Sequence, residues 1–321
     1  MRRAIGVDLG GSHVMAAVVE EDGTIKHRHE VDIVDHQLDA VLKAMRKAIT
    51  GALDQVEDAS IVGIGVGSPG NIDAKTGTIR YSPNFHWTNV PLGERLRAMF
   101  DHPVYIANDA RCATLGEYTY GVGKGTRNFV LLTLGTGIGG GIISEGTLLL
   151  GNAMGAGEFG HHTIRPVDGF VCGCGKIGCF EAQASGTGLM RHALALAPSF
   201  PRSTLLDLPR EKWGSKMIRK AAAAGDGHGL AAWNRWIDDL AIGLSNIIAF
   251  VNPEVIALGG GVSSAGDFLV GAVVPKVEER TTMVPRGTTR IVIASLINDA
   301  GAVGAATMAF RGGLTTGAGA P

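Results

Sequence analysis

Several features that mark out a specialised protein are scarce in this 321-residue chain. Aromatic residues make up 6% of it, charged residues 18%, and there are four cysteines. Apolar runs such as 130–134 and 148–150 fall far short of the roughly 18 residues that a spanning helix needs. Arg2 and Arg3 are not followed by the apolar core of a secretion signal. An excess of one charge is also missing. Lysine and arginine total 29 against 30 for aspartate and glutamate, a net charge of −1. That balance gives no pull toward nucleic acid or anionic membranes and leaves a small molecule as the expected partner. A soluble, cytoplasmic protein is expected. So few cysteines exclude a disulfide framework, and three of them, Cys172, Cys174 and Cys179, lie within eight residues. Without an export signal that grouping points to a metal.

Glycine, by contrast, is plentiful: 48 residues, about twice the usual share of about 7%. Collagen would need glycine at every third position, and a disordered tract would lack the 45% hydrophobic content found here. The glycines must therefore serve turns and close backbone approaches to a ligand. At about 100–200 residues per domain the length implies two domains, each able to bury its own core.

Apolar periodicity predicts strands at 4–9, 14–19 and 25–33, the last after the turn Glu21-Asp22-Gly23. Leu38, Val41, Leu42, Met45, Ile49 and Leu53 recur at helical spacing within 38–56, and a buried strand follows at 61–66. A helix at 92–100, a strand at 104–107 and a helix opening near Asp109 complete a βββαβαβα order. The order then restarts with strands at 128–134, 140–144 and 146–150. This is an expected pseudo-repeat, two similar lobes presenting two glycine hairpins to one ligand. After an irregular stretch at 151–178, helices are expected at 186–196, 215–224 and 230–251. A strand at 255–258, a helix ending near 280, a strand at 290–294 and a helix at 300–310 finish the chain. The tail 313–321 is expected to be disordered.

Two glycine turns carry the first chemical signal. In Asp8-Leu-Gly-Gly-Ser12 bare amides can approach phosphate oxygens while the carboxylate holds hydrated Mg²⁺, although one such turn could be an ordinary hairpin. The companion Gly135-Thr-Gly-Ile-Gly-Gly-Gly141 has five glycines in seven positions, more than a plain hairpin needs. It also matches the dinucleotide fingerprint G-x-G-x-x-G, but the following residues read as strand where that motif must open a helix. A Walker P-loop is absent, because Gly123-Lys124 is followed by Gly125 and Tyr118 stands where the first glycine belongs. Asn108-Asp109 closes a strand and opens a helix. Asp109 there is either an N-cap or a general base at the carboxyl edge of the sheet.

His161 with Cys172, Cys174 and Cys179 offers one imidazole and three thiolates, a closed tetrahedral set for structural Zn²⁺, with His162 as the competing ligand. Glu158 and Glu181 flank the set and would be held in fixed positions by it.

Together these residues make the chain resemble the ROK family of sugar kinases, most closely the ATP-dependent glucokinases of bacteria. The resemblance spans about 5–310. It rests on Asp8–Ser12, Ser82-Pro-Asn-Phe85 with Trp87, Asn108-Asp109-Ala110, Leu134–Gly141, Glu158-Phe-Gly-His161, Cys172-Gly-Cys-Gly-Lys-Ile-Gly-Cys179 with Glu181, Leu258-Gly-Gly-Gly261 and Asp299-Ala-Gly301. It implies an α/β, two-lobed actin-like (ribonuclease H-like) fold with hexose and ATP in a cleft between lobes. The N-terminal lobe would be 1–110, completed by a helix at about 299–312, and the larger lobe 111–298 would carry the zinc loop. Mg-ATP would lie against Asp8, Gly10, Gly11, Ser12, Thr136, Gly137, Gly260 and Gly261. The sugar would be bound by Asn84, Asn108, Asp109, Glu158, His161 and Glu181, with Asp109 as base. A dimer or tetramer is the family expectation.

Three positions depart from the family pattern: Ser12 replaces threonine, His13 a frequent lysine, and Arg111 an asparagine beside the expected base. An N-acetylhexosamine kinase (N-acetylglucosamine or N-acetylmannosamine) is the same-fold alternative, because the motifs do not report the pocket around the sugar C2 substituent. The family's sugar-responsive regulators carry a helix-turn-helix ahead of the first glycine turn. Only seven residues precede Asp8 here, which disfavours that reading. Protein purified without added metal is expected to hold one zinc per chain by elemental analysis; less than about half an equivalent would remove the His-Cys₃ site.

Overall fold

The computed structural model describes residues 1–57, 60–207 and 209–314. The tail expected to be disordered lies, from 315 onward, outside the described residues. The chain opens with three strands, β1 (Arg3–Leu9), β2 (His13–Glu20) and β3 (Ile25–Asp32). The turn between β2 and β3 uses Asp22, whose Oδ1 accepts from Thr24 N at 2.9 Å. Helix α1 (Leu38–Leu53) buries Val41, Leu42, Met45, Ala48, Ile49 and Ala52 on one face. It ends short of the expected 56. Strand β4 (Ile61–Ser68) then runs parallel to β1, as a helical crossover requires.

Next comes an antiparallel sheet absent from the expected order, β5 (Asn71–Asp73), β6 (Thr78–Ser82) and β7 (Trp87–Val90). These strands are three to five residues long. They are too short and too polar for an apolar alternation to show. Helix α2 (Leu92–Arg97), strand β8 (Val104–Asn108) and helix α3 (Asp109–Tyr120) follow. The second series begins with β9 (Phe129–Leu134), β10 (Ile138–Ser144) and β11 (Thr147–Leu148), the last only two residues where five were expected. It continues through α4 (Phe180–Ala184), which periodicity did not reveal, α5 (Gly186–Leu196), α6 (Ser215–Ala223) and α7 (Gly227–Val251). Helix α7 starts earlier than expected because Asp226 caps it, accepting from Gly229 N at 2.9 Å. Strand β12 (Val255–Gly259), α8 (Asp267–Arg280), β13 (Arg290–Ile293) and α9 (Ala300–Phe310) finish the chain. No helix among the described residues is long and apolar enough to cross a membrane.

The two large sheets have the orders β3-β2-β1-β4-β8 and β11-β10-β9-β12-β13. Counted within each sheet, both read third, second, first, fourth, fifth. The pseudo-repeat is thus present in the topology, with α4 to α7 inserted in its second copy. The chain forms two compact units, one of residues 1–131, 141–157 and 295–321, the other of 132–140 and 158–294.

In the first unit the sheet buries both faces with side chains of different size. Ile5, Val7, Leu9, Val14, Ala16 and Val18 share a cluster with α1. The opposite face offers Ala4, Ala17 and Val19 to Ala302 and Ala306 of α9. Ten of the eleven residues of α9 are buried, and seven of those are alanine or glycine. A Cβ on Gly6 would stand 1.9 Å from Ala302 O and one on Gly65 1.8 Å from Ala305 O, so the helix backbone rests directly on β1 and β4. On the other side of α9, a Cβ on Gly304 would stand 1.6 Å from Cys112 O of α3. The end of α3 is fastened by Glu117, a fully buried carboxylate. It accepts from Leu296 N at 2.5 Å, Ser295 Oγ at 3.2 Å and Val122 N at 3.2 Å.

Gly65→Ala is expected to cost about 3 kcal/mol or more, because a backbone cannot yield as a side chain does. Gly271→Ala in α8, where nothing lies within 4 Å of the added carbon, should gain about 0.5–1 kcal/mol from helix propensity. Denaturant midpoints of the two variants against the parent check both signs.

Candidate active site and metal centre

In the first unit β1 delivers Asp8 at its carboxyl end, and the Gly10–Ser12 turn follows. That turn is closed by Gly10 N donating to His13 O at 3.0 Å and held from outside by Ile33 N on Ser12 O at 2.8 Å. His36 Nε2 lies 2.7 Å from Gly11 O. Asn84 sits in the β6–β7 turn, its Nδ2 4.0 Å from where a Cβ of Gly11 would be. The exposed turn is anchored by its neighbours: Phe85 stacks on Trp87 at 4.5 Å, and Trp87 Nε1 donates to His36 O at 3.1 Å. The Phe85 and Trp87 positions therefore act as packing that aims Asn84.

Between the two roles open for Asp109, the cap falls to its neighbour. Asn108 is the N-cap of α3, its Oδ1 accepting from Arg111 N at 3.2 Å, while its Nδ2 donates to Gly70 O at 3.2 Å and to Asp109 Oδ1 at 2.9 Å. Asp109 occupies the first helical position. Its charge and Asp8 repel: burial first, then Asp109, push the Asp8 carboxyl from 3.8 up to about 6, against a smaller opposing effect of His13. A Cβ on Gly301 would stand 2.8 Å from Asp8 Oδ2, so the start of α9 lies against that carboxylate. Arg111 is engaged with backbone. Its guanidinium is buried and donates through Nε and Nη2 to Ala156 O at 3.3 and 3.0 Å.

The second unit gathers the other candidates. Gly135 N donates to Gly137 O at 3.0 Å, Gly186 N at the start of α5 donates to Gly135 O at 2.8 Å, and Thr187 Oγ1 donates to Thr136 O at 2.9 Å. Gly260 adopts φ +80° with its Cα packed on Leu134, whose O would be 2.6 Å from an added Cβ, and Gly261 opens a short 3₁₀ turn. Thr136, Gly137, Gly260 and Gly261 thus share one backbone-lined corner. Glu181, on α4, accepts from Ile138 N at 2.9 Å through Oε2, and Cys172 Sγ lies 3.7 Å from its Oε1. Glu181 therefore joins the glycine turn to the cysteine loop, a link through Ile138 N that no motif reveals. Glu158 is exposed and precedes the short 3₁₀ turn that carries His161.

His161, Cys172, Cys174 and Cys179 place one ligand atom each within 4.8 Å of all the others. Cys172 Sγ is 3.8 Å from His161 Nδ1, and Cys174 Sγ is 3.6 Å from Cys179 Sγ. With Zn–S near 2.3 Å a tetrahedral edge is about 3.8 Å, so both the soft donor set and the spacing fit Zn²⁺. His162 is not in the group; its Nδ1 lies 2.5 Å from Phe159 O and its ring packs on Phe180 at 5.1 Å. Without metal the thiols divide unequally. Backbone N–H of Lys176 draws Cys174 down to about 7, while burial pushes Cys172 up to about 12.

The Asp8 shift fixes a pH dependence of stability. Its folded pKa of about 6 exceeds the ordinary 3.8, so its contribution is fully present below pH 4 and is lost as pH rises through about 6. Asp8→Asn is expected to stabilise the protein by up to about 3 kcal/mol at pH 7.5 and to be nearly neutral at pH 4, read from urea titrations. Equal effects at the two pH values would remove the assignment.

The ROK family pattern matches residues 4–311. Over 310 residues the chain is 38% identical to a glucokinase of Thermotoga maritima, covering 95% of this chain and 96% of that one. Among solved structures it is similar to a ROK family glucokinase from Streptomyces griseus in complex with glucose and AMPPNP. The TM-score is 0.85 and the identity 32%, over 96% of this chain and 99% of that one. A proposed N-acetylmannosamine kinase from Listeria monocytogenes gives a TM-score of 0.79 at 28% identity, over 96% and 99% of the two chains. With a match that runs nearly end to end, the chain belongs to the ROK family and has its two-lobed, actin-like α/β fold.

Proposed function

We propose that the chain is an ATP-dependent hexose kinase that phosphorylates the 6-hydroxyl of glucose. The observation that carries this reading is the placement of Asp109 beside Asp8 at the carboxyl ends of β8 and β1, with Asn108 relieving it of the capping role. The similarity to a glucokinase bound to glucose and AMPPNP supports the choice of substrates.

A sugar hydroxyl is a poor nucleophile. Asp109 accepts its proton as the new P–O bond forms and keeps the oxygen in line with the γ-phosphate. It does so as the carboxylate, and Asp8 would hold the Mg²⁺ of Mg-ATP, whose positive charge would offset the negative charge of this pair. The Gly10–Ser12 turn and the corner of Thr136, Gly137, Gly260 and Gly261 contribute backbone N–H groups to phosphates and nucleoside. His13, standing for a lysine, leaves more of the phosphate charge to those amides and to the cation.

Asn84, Asn108, Glu158, His161 and Glu181 read the ring hydroxyls, which both donate and accept. His161 directs Nδ1 to the cysteines, leaving Nε2 for a hydroxyl, so zinc serves to orient rather than to react. The same reading keeps the lobes at 1–110 with 299–312 and at 111–298, and holds the protein to be a cytoplasmic homo-oligomer. The likeness to the Listeria protein favours an N-acetylhexosamine kinase as second reading.

A coupled ADP-release assay over glucose, mannose, N-acetylglucosamine and N-acetylmannosamine tests both. Glucose is expected to give the highest kcat/KM; an N-acetylated sugar in first place transfers the assignment, and no turnover with any ends it. Asp109→Asn should lower kcat by about 100-fold to 10,000-fold with glucose affinity, by calorimetry, within a few-fold of the parent. Retained turnover would strip Asp109 of the base role.

A further inference from the structure

The cysteine loop buries few large apolar residues of its own. Val167, Val171 and Ile177 are 74%, 60% and 52% exposed, and of the loop's large apolar side chains Phe170 packs against the small cluster of Cys172, Cys179 and Ala182. What helps to fix the loop from outside is a carboxylate of α7, 74 residues beyond Arg165. Asp239 lies in α7 with no exposed surface, among Trp236, Leu240 and Gly243 on the buried face of the helix. Aspartate is a poor helix former, and a buried carboxylate costs stability unless it is paired. Neither local propensity nor core packing accounts for it.

Its partners do. Arg165 Nε donates to Asp239 Oδ1 at 2.5 Å, and His192 Nε2 of α5 stands 3.0 Å from Oδ2. The arginine backbone is woven into the loop. Arg165 N and Ile164 N both donate to Gly178 O, at 3.1 and 2.8 Å, and Arg165 O occupies the place of a side chain on Gly178. The neighbouring α5 grips the hairpin as well. Arg191 donates to Val171 O at 2.8 Å, and the His192 ring meets Phe170 edge-on at 5.0 Å. Gly178 and Phe170 immediately precede or nearly precede the ligands Cys179 and Cys172, so the ion pair acts on the backbone that carries them.

We propose that Asp239 and Arg165 are positioning residues: their ion pair, buried on the Asp239 side, sets the cysteine loop, and through His161 and Glu181 it sets the sugar site. The proposal rests on the zinc-bound kinase reading above. Removing one partner leaves the other charge in place, and the loop loses its anchor while the ligands themselves are intact.

The test uses the full chain as purified. Arg165→Gln is the primary variant, since that side chain is 42% exposed and its loss leaves the core packed; Asp239→Asn is its counterpart. Zinc transfer to a chromogenic chelator should be about 10-fold faster in both, as expected for a group that orients metal ligands. The sugar KM should rise by about the same 10-fold, while the KM for ATP and kcat stay within about threefold. Arg165→Lys, which keeps the charge, should fall between. Lys276→Gln breaks another ion pair of α7, Lys276 to Asp238 at 2.6 Å, and should change neither reading.

Parental zinc release and parental sugar KM in Arg165→Gln would overturn the proposal, and so would equal changes in Lys276→Gln. If the parent holds no zinc, the sugar KM alone decides; if it turns over no sugar, zinc release alone decides. A parent with neither overturns the proposal together with the reading beneath it.

Discussion

The rest of the first unit depends on one steric constraint, the contact of a helix backbone with a sheet backbone. Helix α9 can lie on β1 and β4 only because Gly6 and Gly65 carry no Cβ where Ala302 O and Ala305 O come to rest. The same helix is met by α3 at Gly304, against Cys112 O. Alanine buries little apolar area, so such packing draws on dispersion between many close atoms more than on large hydrophobic transfer. It is also intolerant of slippage. A helix held by backbone contact on two sides fixes the ends of β1 and α3 and its own first turn, which are where Asp8, Asp109 and Gly301 lie.

That geometry has an electrostatic cost. Two carboxylates are brought close enough for one to raise the other, in a place where burial already favours the neutral form. A protein selected for stability alone would not keep both. The cost is the kind a binding site carries, since a cation and a phosphate-bearing ligand restore the balance that the unliganded pair lacks. A net charge of −1 is compatible with such a site. In the proposed function phosphate recognition falls to amides of glycine turns, which adds no fixed charge to the chain.

How much of this the sequence disclosed varies with the length scale of the signal. Elements with a sustained apolar signal are legible, 38–53 because its period is set by the helix itself and 300–310 because it is apolar nearly throughout. The strands β5 to β7 are not, because three to five residues with Tyr81 exposed carry no period to read. The cysteine group was legible for a different reason: thiolates two and five residues apart are scarce by chance, and the fold does bring those ligand atoms within 4.8 Å. What sequence could not show are contacts whose two halves are far apart and individually ordinary. Glu181 on Ile138 N and Arg165 on Asp239 are separated by 43 and 74 residues. A glutamate or an arginine alone has no signature of its distant partner.

Arg111 illustrates how a departure from a family pattern is settled by reach. An asparagine at that position in α3 is too short to address a carbonyl across from the helix. A guanidinium can present Nε and Nη2 to the same oxygen, and it does so at Ala156, two residues before Glu158. Buried arginine on a backbone carbonyl is a directional contact in which the planar fork fixes the orientation. The substitution therefore ties α3 to the backbone at Ala156. It places a third buried charge, after Glu117 and Asp239, in the service of holding irregular backbone. In this chain loops that carry function are anchored by single buried ions, because segments so rich in glycine have few side chains with which to anchor themselves.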